Sequence, residues 1–239
     1  MSAFSLNRRR ILSLWLPRLP IDRIKRGLVT NNAELDKTPS VVVAKQSNAL
    51  VIYALDDVAA RSGLDIGLPL ANARAICPEL TVFDADPVAD AKTLGDIADW
   101  CDRFTPLVAL DPPHGLYLDI TGCAHLFGGE RALLQTVCGA LTQRGFAVSA
   151  GIAGTSICAR TMTRHVSGKI IADGEEADAV GPLPEGYRSR NSVKPPLRVF
   201  DGGRMSLPTR QRRDTDVGGR PSSYAATAPA TAVPSFSRR

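Results

Sequence analysis

The stretch "LVALDPPHGLYLDITGCAHLFGGE", residues 107–130, decides the fold of this chain. Apolar and polar residues alternate on both sides of "DPPHG", a pattern typical of two strands joined by a tight turn. In residues 115–121, Leu116, Leu118 and Ile120 would face one side of a sheet, because successive side chains of a strand point to opposite faces. The glycines at the end of the stretch then lead into an amphipathic segment. The stretch therefore predicts two adjoining strands followed by the start of a helix.

The neighbouring segments continue this alternation of strands and helices. The pattern predicts strands at 10–16, 40–45, 49–55, 107–111, 115–121, 146–153 and 169–173. It predicts helices at 68–77, 87–104, 129–145 and 155–166. On the second helix an apolar stripe runs from Val88 to Phe104, with Asp86 as the expected N-cap. The order predicts an α+β fold, a ferredoxin-like βαββαβ sheet with its helices on one face.

The character of the chain changes after residue 185. Residues 186–239 are rich in Pro, Gly, Ser and Arg and contain only eight Leu, Ile, Val or Phe. Such a segment buries too little apolar surface to offset the conformational entropy lost on ordering. We therefore predict a folded region over 1–185 and a disordered tail over 186–239.

The charge of the chain is also divided at this boundary. The net charge is +5 overall, and residues 186–239 hold 11 Lys/Arg against 3 Asp/Glu. The remaining 18 Lys/Arg and 21 Asp/Glu leave the predicted folded region at −3. Composition therefore gives no sign of a basic nucleic-acid-binding face on the folded region. The arginines of the tail are compatible with weak, salt-sensitive binding of nucleic acid.

Cysteine spacing and the N-terminus favour a cytoplasmic protein without a membrane segment. The five cysteines are at least 15 residues apart and form no CxxC pair, which indicates free thiols in a reducing compartment. The apolar run Ile11–Leu16 is six residues long, shorter than the hydrophobic region of a secretory signal. No run approaches the length of a membrane span.

Four motifs, in this order and spacing, resemble the N-terminal half of the Y-family (UmuC/DinB-type) translesion DNA polymerases. They are "RSGLDIGLPLANARAICPEL" (61–80), "LYLDITG" (116–122), "SAGIAGTSICARTMT" (149–163) and "PLP" (182–184). The resemblance implies a polymerase palm with a small fingers subdomain over 1–185. It also implies that the tail stands where the family has its thumb and little finger.

The acidic positions of that family are filled differently in this chain. Two divalent cations must stabilise the attacking and leaving oxygens of nucleotide transfer, and Mg²⁺ prefers carboxylate ligands. The resemblance places Trp15, with Pro17 two residues on, where the family has aspartates on its first palm strand. It places His114 and Gly115 at the Asp-Glu pair of the later strand. We therefore expect no catalytic residue, no metal site and no enzyme activity.

The nucleotide-binding positions are altered as well. The fingers Tyr and Arg of the family correspond to Asp57 and Ala60, although Arg61 is one position away. The Lys of the family helix corresponds to Arg160, which keeps a positive charge for phosphate. The resemblance thus leaves Arg160 and Arg61 as weak candidates for phosphate contact. "GIAG" (151–154) lacks a full phosphate-loop fingerprint and favours a tight strand-to-helix turn.

"LWLPRLPIDR" and "DPPHGLYLDITGCAHLFGGE" most resemble the ImuB-type branch, which is catalytically inactive. That resemblance implies a scaffold in damage-induced translesion synthesis and SOS mutagenesis. The expected partners are the sliding clamp, an ImuA-type RecA-like accessory protein and an error-prone replicative-type polymerase subunit. No cofactor is implied, and contact with DNA is left open.

Two alternatives remain at this point. One is an active translesion polymerase or a repurposed nucleotidyl transferase. The other is a nonfunctional truncated fragment, in which a frameshift joins the palm to an unrelated tail and leaves an apolar face exposed.

Other candidate sites have simpler explanations. A zinc site from His114, His125, Cys123 and Asp119 matches no recognised ligand spacing. A single weak metal site from Asp111 and Asp119 is disfavoured, since neither occupies a ligand position of the family. Acids at a predicted helix start, Asp56 and Asp57, are more typical of side chains that complement the helix dipole than of acid–base residues.

Overall fold

Two β-sheets organise the residues that the computed structural model describes, 9–28 and 37–181. The predicted end of the folded region at 185, the motif at 182–184 and the tail 186–239 lie outside these residues. Those three predictions therefore remain expectations.

The strands and helices follow the predicted order closely. The strands are β1 Ile11–Trp15, β2 Ser40–Gln46, β3 Ala49–Leu55, β4 Thr81–Asp84, β5 Val108–Asp111, β6 Gly115–Asp119, β7 Ser149–Ala153 and β8 Lys169–Ile170. The α-helices are α1 Leu19–Gly27, α2 Asp57–Arg61, α3 Leu70–Ile76, α4 Pro87–Cys101, α5 Glu130–Gln143, α6 Ser156–His165 and α7 Glu176–Val180, and a 3-10 helix spans Ala124–Phe127. The pattern did not predict α1, β4, α7 or the 3-10 helix.

The larger sheet has the strand order β5-β6-β1-β7-β8. β1 lies between β6 and β7 and is antiparallel to both, so that Leu14 is paired with Leu116 on one side and with Ala150 on the other. The path β1–α4–β5–β6–α5–β7 is the predicted βαββαβ arrangement, and β8 adds a short parallel strand beside β7. The ferredoxin-like fold class is therefore confirmed.

One face of this sheet carries the main apolar core. Alternate residues of β1 and β6, including Leu12, Leu14, Leu116 and Leu118, are at most 1% exposed and pack with apolar residues of α4 and α5. The predicted alternation along β6 is confirmed. Each such leucine stabilises the fold by roughly 2–5 kcal/mol relative to alanine.

The helices of the βαββαβ unit, α4 and α5, share one face of the larger sheet as predicted, whereas α6 lies on the opposite face. Helix α6 packs there against β1 and β7, because small residues let its backbone approach. A Cβ atom added at Gly151 would lie 3.0 Å from Oγ1 of Thr163, whose hydroxyl also donates to the carbonyl of Ser13 at 3.2 Å. The helix predicted after β7 therefore covers the second face of the sheet, to which the prediction had assigned no helix.

The smaller sheet, with the order β3-β2-β4, is inserted between β1 and α4. β2 and β3 form a hairpin whose turn residues Ser47 and Asn48 have φ of 46° and 66°, and β4 joins β2 in parallel. With α2 and α3 this unit is the small fingers subdomain that the resemblance implied.

No helix in the described ranges combines the length and the apolar character needed to cross a membrane. All five cysteines are free thiols, and Cys101 and Cys158 are buried.

Candidate functional site at the end of the larger sheet

Three positions that the resemblance relates to acidic residues of the family, 15, 114 and 115, meet at one end of the larger sheet. Trp15, the last residue of β1, is paired with Gly115 on one side and with Ser149 on the other. The backbone N–H of Leu16 donates to the carbonyl of His114 at 2.8 Å. The structure thus brings Trp15, His114 and Gly115 together, as the resemblance implied.

The imidazole of His114 faces the fingers. Its ring lies edge-on to that of Tyr53, with the centroids 6.1 Å apart. Burial lowers the pKa of His114, and the positive charge of Arg164 lowers it further, against an opposing effect of Asp90. A side chain that stays neutral near neutral pH contributes no charge to this end of the sheet.

The space beside Gly115 is filled by the side chain of Asp111. A Cβ atom added at Gly115 would lie 2.9 Å from Oδ2 of Asp111 and 3.1 Å from its Cβ. These two residues are paired across the β5–β6 hairpin. At this end of the β5–β6 hairpin the carboxylate therefore comes from Asp111 of β5. It occupies the space that a side chain at position 115 would need.

Two arginines of α6 converge on this carboxylate. Nε of Arg160 lies 2.8 Å from Oδ2 of Asp111, and a terminal nitrogen of Arg164 lies 3.7 Å from the same oxygen. The guanidinium of Arg164 also lies over the ring of Trp15, 5.2 Å from its centroid. We call Trp15, Asp111, Arg160 and Arg164 the arginine–aspartate cluster.

Tyr117 of β6 adjoins this cluster, on the face of the sheet that carries Asp111. It is 5% exposed, and burial raises the pKa of its hydroxyl, as do the negative charge of Asp111 and a hydrogen bond with it. The phenol therefore stays protonated at ordinary pH and stabilises the Asp111 carboxylate.

The resemblance relates three residues of the fingers, Asp57, Ala60 and Arg61, to triphosphate contacts. One of them forms an ion pair with another side chain, and the other two are exposed. Asp57 forms an ion pair with Arg18, which precedes α1. Ala60 and Arg61 are exposed on the last turn of α2.

Asp56 has a structural role at the start of α2. Its carboxylate accepts the backbone N–H of Ala59 at 2.7 Å as the N-cap of α2, and its other oxygen lies 2.7 Å from Nζ of Lys25. Asp56 and Asp57 therefore lie at a helix start, as expected, and the structure adds that Asp56 is the N-cap.

The other candidate sites are not brought together. Asp111 is paired with Gly115, whereas Asp119 lies at the other end of β6, about 13 Å away at the rise of a strand. Asp119 instead pairs with Arg9 at 3.0 Å. His114 and His125 are likewise separated by the length of β6.

The "GIAG" segment forms the predicted turn into α6. The backbone N–H of Gly154 donates to the carboxylate of Glu176 at 3.1 Å, and the Thr155 side chain accepts from the N–H of Cys158 as the helix N-cap. The carboxylate of Glu176 thus accepts the Gly154 N–H that a phosphate bound at this turn would accept.

A two-cation centre of the polymerase type does not fit these residues. Trp15 and Gly115 offer no ligand oxygen from their side chains, and His114 is a nitrogen ligand that hard Mg²⁺ does not prefer. The carboxylate of Asp111 is already held by two guanidinium groups. Within 9–28 and 37–181, no group of three or more His, Cys, Asp or Glu side chains is arranged to hold a metal ion.

Two residues of this site were missed at the sequence level. Arg164 follows Arg160 at the i,i+4 spacing that puts both on one face of a helix, and this spacing could have indicated a pair. Arg18 gave no comparable signal, since its partner Asp57 comes from a distant segment.

Comparisons with known proteins agree with this fold. A family model described as the impB/mucB/samB family (IMS) matches residues 28–164. Protein ImuB of Caulobacter vibrioides is 42% identical over 147 residues, 61% of this chain and 30% of the relative. DNA polymerase IV 2 of Mesorhizobium japonicum is 30% identical over 139 residues, 56% of this chain and 33% of the relative.

Among solved structures, the insertion ternary complex of Dbh DNA polymerase superposes with a TM-score of 0.62 at 16% identity. It covers 74% of this chain and 53% of that chain. This likeness shows a fold shared with a DNA polymerase. The chain spans about a third of the length of the curated relatives it matches.

Proposed function

Because this chain belongs to the impB/mucB/samB family, we propose that it is a noncatalytic, UmuC/DinB-like protein that acts as a scaffold in damage-induced translesion DNA synthesis and mutagenesis. The observation that carries this proposal is the arginine–aspartate cluster. Where nucleotide transfer needs free carboxylates around two cations, the sheet end has an indole, a glycine and a carboxylate held by two arginines. The 42% identity to Protein ImuB supports the same conclusion.

A scaffold of this kind needs partners rather than substrates. From the resemblance, we propose the sliding clamp, an ImuA-type RecA-like protein and an error-prone replicative-type polymerase subunit, acting in the cytoplasm. The described residues supply a folded body with a well-packed sheet core, which is sufficient to present a docking surface. Direct contact with DNA is not required by this proposal.

Primer extension tests the noncatalytic part. The whole chain, incubated with primed template, the four deoxynucleotides and Mg²⁺ or Mn²⁺, should give no template-dependent incorporation, with DNA polymerase IV 2 as the positive control. Arg160→Gln is the matched variant, since Arg160 belongs to the cluster. Incorporation by the wild-type chain that is lost in Arg160→Gln would show activity at this site and contradict the proposal.

Retention experiments test the scaffold part. The immobilised whole chain should retain at least one of the three proposed partners, with full-length Protein ImuB as the positive control. Retention of none, from a chain that elutes as a single symmetric species in size-exclusion chromatography, would contradict the scaffold role. Aggregation of the purified chain would instead favour the nonfunctional-fragment alternative.

The active-polymerase alternative is favoured by the 30% identity to a protein named DNA polymerase IV 2. Its requirement for carboxylates at positions 15, 114 and 115 is not met by Trp15, His114 and Gly115. The primer-extension assay above separates the two functions directly.

A further inference from the structure

The cluster has the geometry of an anion-binding site with an anion already in it. Two guanidinium groups from one face of α6, those of Arg160 and Arg164, converge on a single carboxylate oxygen. Guanidinium groups attract carboxylate and phosphate, and here both contacts with Asp111 are ion pairs. The anion in this case is part of the same chain.

The fit of that anion depends on the glycine at 115. The Oδ2 atom of Asp111 lies 2.9 Å from where a Cβ atom of residue 115 would be, too close for any side chain there. The carboxylate, 15% exposed, reaches the arginines through the space that Gly115 leaves open. The absence of a side chain at 115 and the ion pairs of Asp111 are therefore physically linked.

The two arginines would need a counter-anion if Asp111 were neutral. Their side chains are 21% and 31% exposed, so solvent screens them only in part. Burial lowers the pKa of Arg164 first, and the nearby charge of Arg160 lowers it further. A pair of like charges at this depth attracts an anion when its internal partner is removed.

We propose that Asp111 is an internal counter-anion that occupies an anion site formed by Arg160 and Arg164, and that it keeps the polyphosphate group of nucleotides out of this end of the sheet. This inference rests on the proposed noncatalytic function and adds a mechanism to it. Besides the lack of metal ligands at this sheet end, the Asp111 carboxylate competes with phosphate groups for the two arginines. An ion pair with a purely structural role would show no such competition.

Binding of inorganic tripolyphosphate without metal ions tests the proposal by isothermal titration calorimetry on the whole chain. Asp111→Asn should bind at least about tenfold more tightly than wild type, because the amide removes the competing charge at nearly constant volume. Asp119→Asn is the matched control, since Asp119 is a carboxylate of the neighbouring strand β6 and is paired with a different arginine, Arg9. It should bind as weakly as wild type.

The site assignment is checked by adding Arg160→Gln to Asp111→Asn, which should abolish the gained binding. Equal binding by wild type and a folded Asp111→Asn would overturn the proposal, as would a gain that survives Arg160→Gln. Asp111→Ser replaces the asparagine variant if the latter does not fold. If neither folds, Asp111 is a structural ion-pair residue and the proposal is wrong.

This experiment contains no DNA and no metal, so its failure is distinguishable from failure of the proposed function. Primer extension by the wild-type chain would refute the noncatalytic role whatever the calorimetry shows. Absence of tripolyphosphate binding in Asp111→Asn would refute only the counter-anion role.

Discussion

The Oδ2 atom and the backbone carbonyl oxygen of Asp111 each lie 2.9 Å from the position that a Cβ atom of Gly115 would take. A side chain at position 115 would therefore force Asp111 to shift, although the backbone there is an ordinary strand. It also means that an acidic residue could not be restored at 115 without moving Asp111. The relationship leads to the first of four predictions.

Gly115→Ala should destabilise the protein by about 1–3 kcal/mol, because the added methyl group overlaps Oδ2 and the backbone carbonyl oxygen of Asp111. The control is Gly139→Ala in α5, where a Cβ atom would meet nothing within 4 Å. That substitution should stabilise by roughly 0.5–1 kcal/mol, as expected in a helix interior. Urea unfolding measures both, and equal stability of the two variants would contradict the steric explanation.

Asp22→Asn should stabilise the protein at neutral pH but not at acidic pH. Burial raises the pKa of Asp22 to about 6, although its carboxylate accepts the N–H of Ala147 at 2.7 Å. The folded state therefore holds the proton more tightly than the unfolded chain, and stability is lost as the pH rises from about 4 to 6. The gain from Asn should reach about 1–3 kcal/mol above pH 7.

Urea unfolding at pH 4.5 and 7.5 measures this effect as a difference between variant and wild type. The exposed Asp99→Asn serves as the control and should show little change at either pH. A stabilisation by Asp22→Asn that is the same at both pH values would rule out titration of Asp22 as its cause.

Asp56→Ala should cost about 1–3 kcal/mol, because it removes both the N-cap of α2 and the ion pair with Lys25. Asp57→Ala, its immediate neighbour, should change stability by less than about 0.5 kcal/mol. The Asp57 side chain is 66% exposed, and exposed ion pairs contribute little. Chemical denaturation compares the two, and equal losses would show that capping is not the reason.

Glu130→Gln should destabilise by roughly 1–3 kcal/mol. Its two oxygens accept from Nε and a terminal nitrogen of Arg10 at 2.6 and 2.8 Å, in a pair that ties the start of α5 to the residue before β1. Asp96→Asn is the control, since its pair with Lys92 lies on the exposed face of α4 and should matter little. Thermal unfolding tests both, and a Glu130→Gln variant as stable as Asp96→Asn would contradict this role.

Hydrophobic periodicity predicted most of the elements, because side-chain direction in a strand or helix is set locally. It failed where distant segments pack. On α4, Val88 belongs to the predicted apolar stripe but is 80% exposed, whereas Asp90 is 4% exposed. Asp90 is buried because α1, which the pattern did not predict, brings Arg23 to 2.7 Å from it.

β7 begins later than predicted, since the N–H of Ala147 donates to the carboxylate of Asp22 and not to a neighbouring strand.

By itself, the sequence determined the βαββαβ order, the core alternation and the residues at positions 15, 114 and 115, since these depend on residue identity and local period. Only the tertiary structure decided that α6 covers the second face of the sheet and brings Arg160 and Arg164 to Asp111. These residues lie far apart along the chain, and their meeting depends on which strands are neighbours and on the close approach that Gly151 allows. Local periodicity carries no information about either.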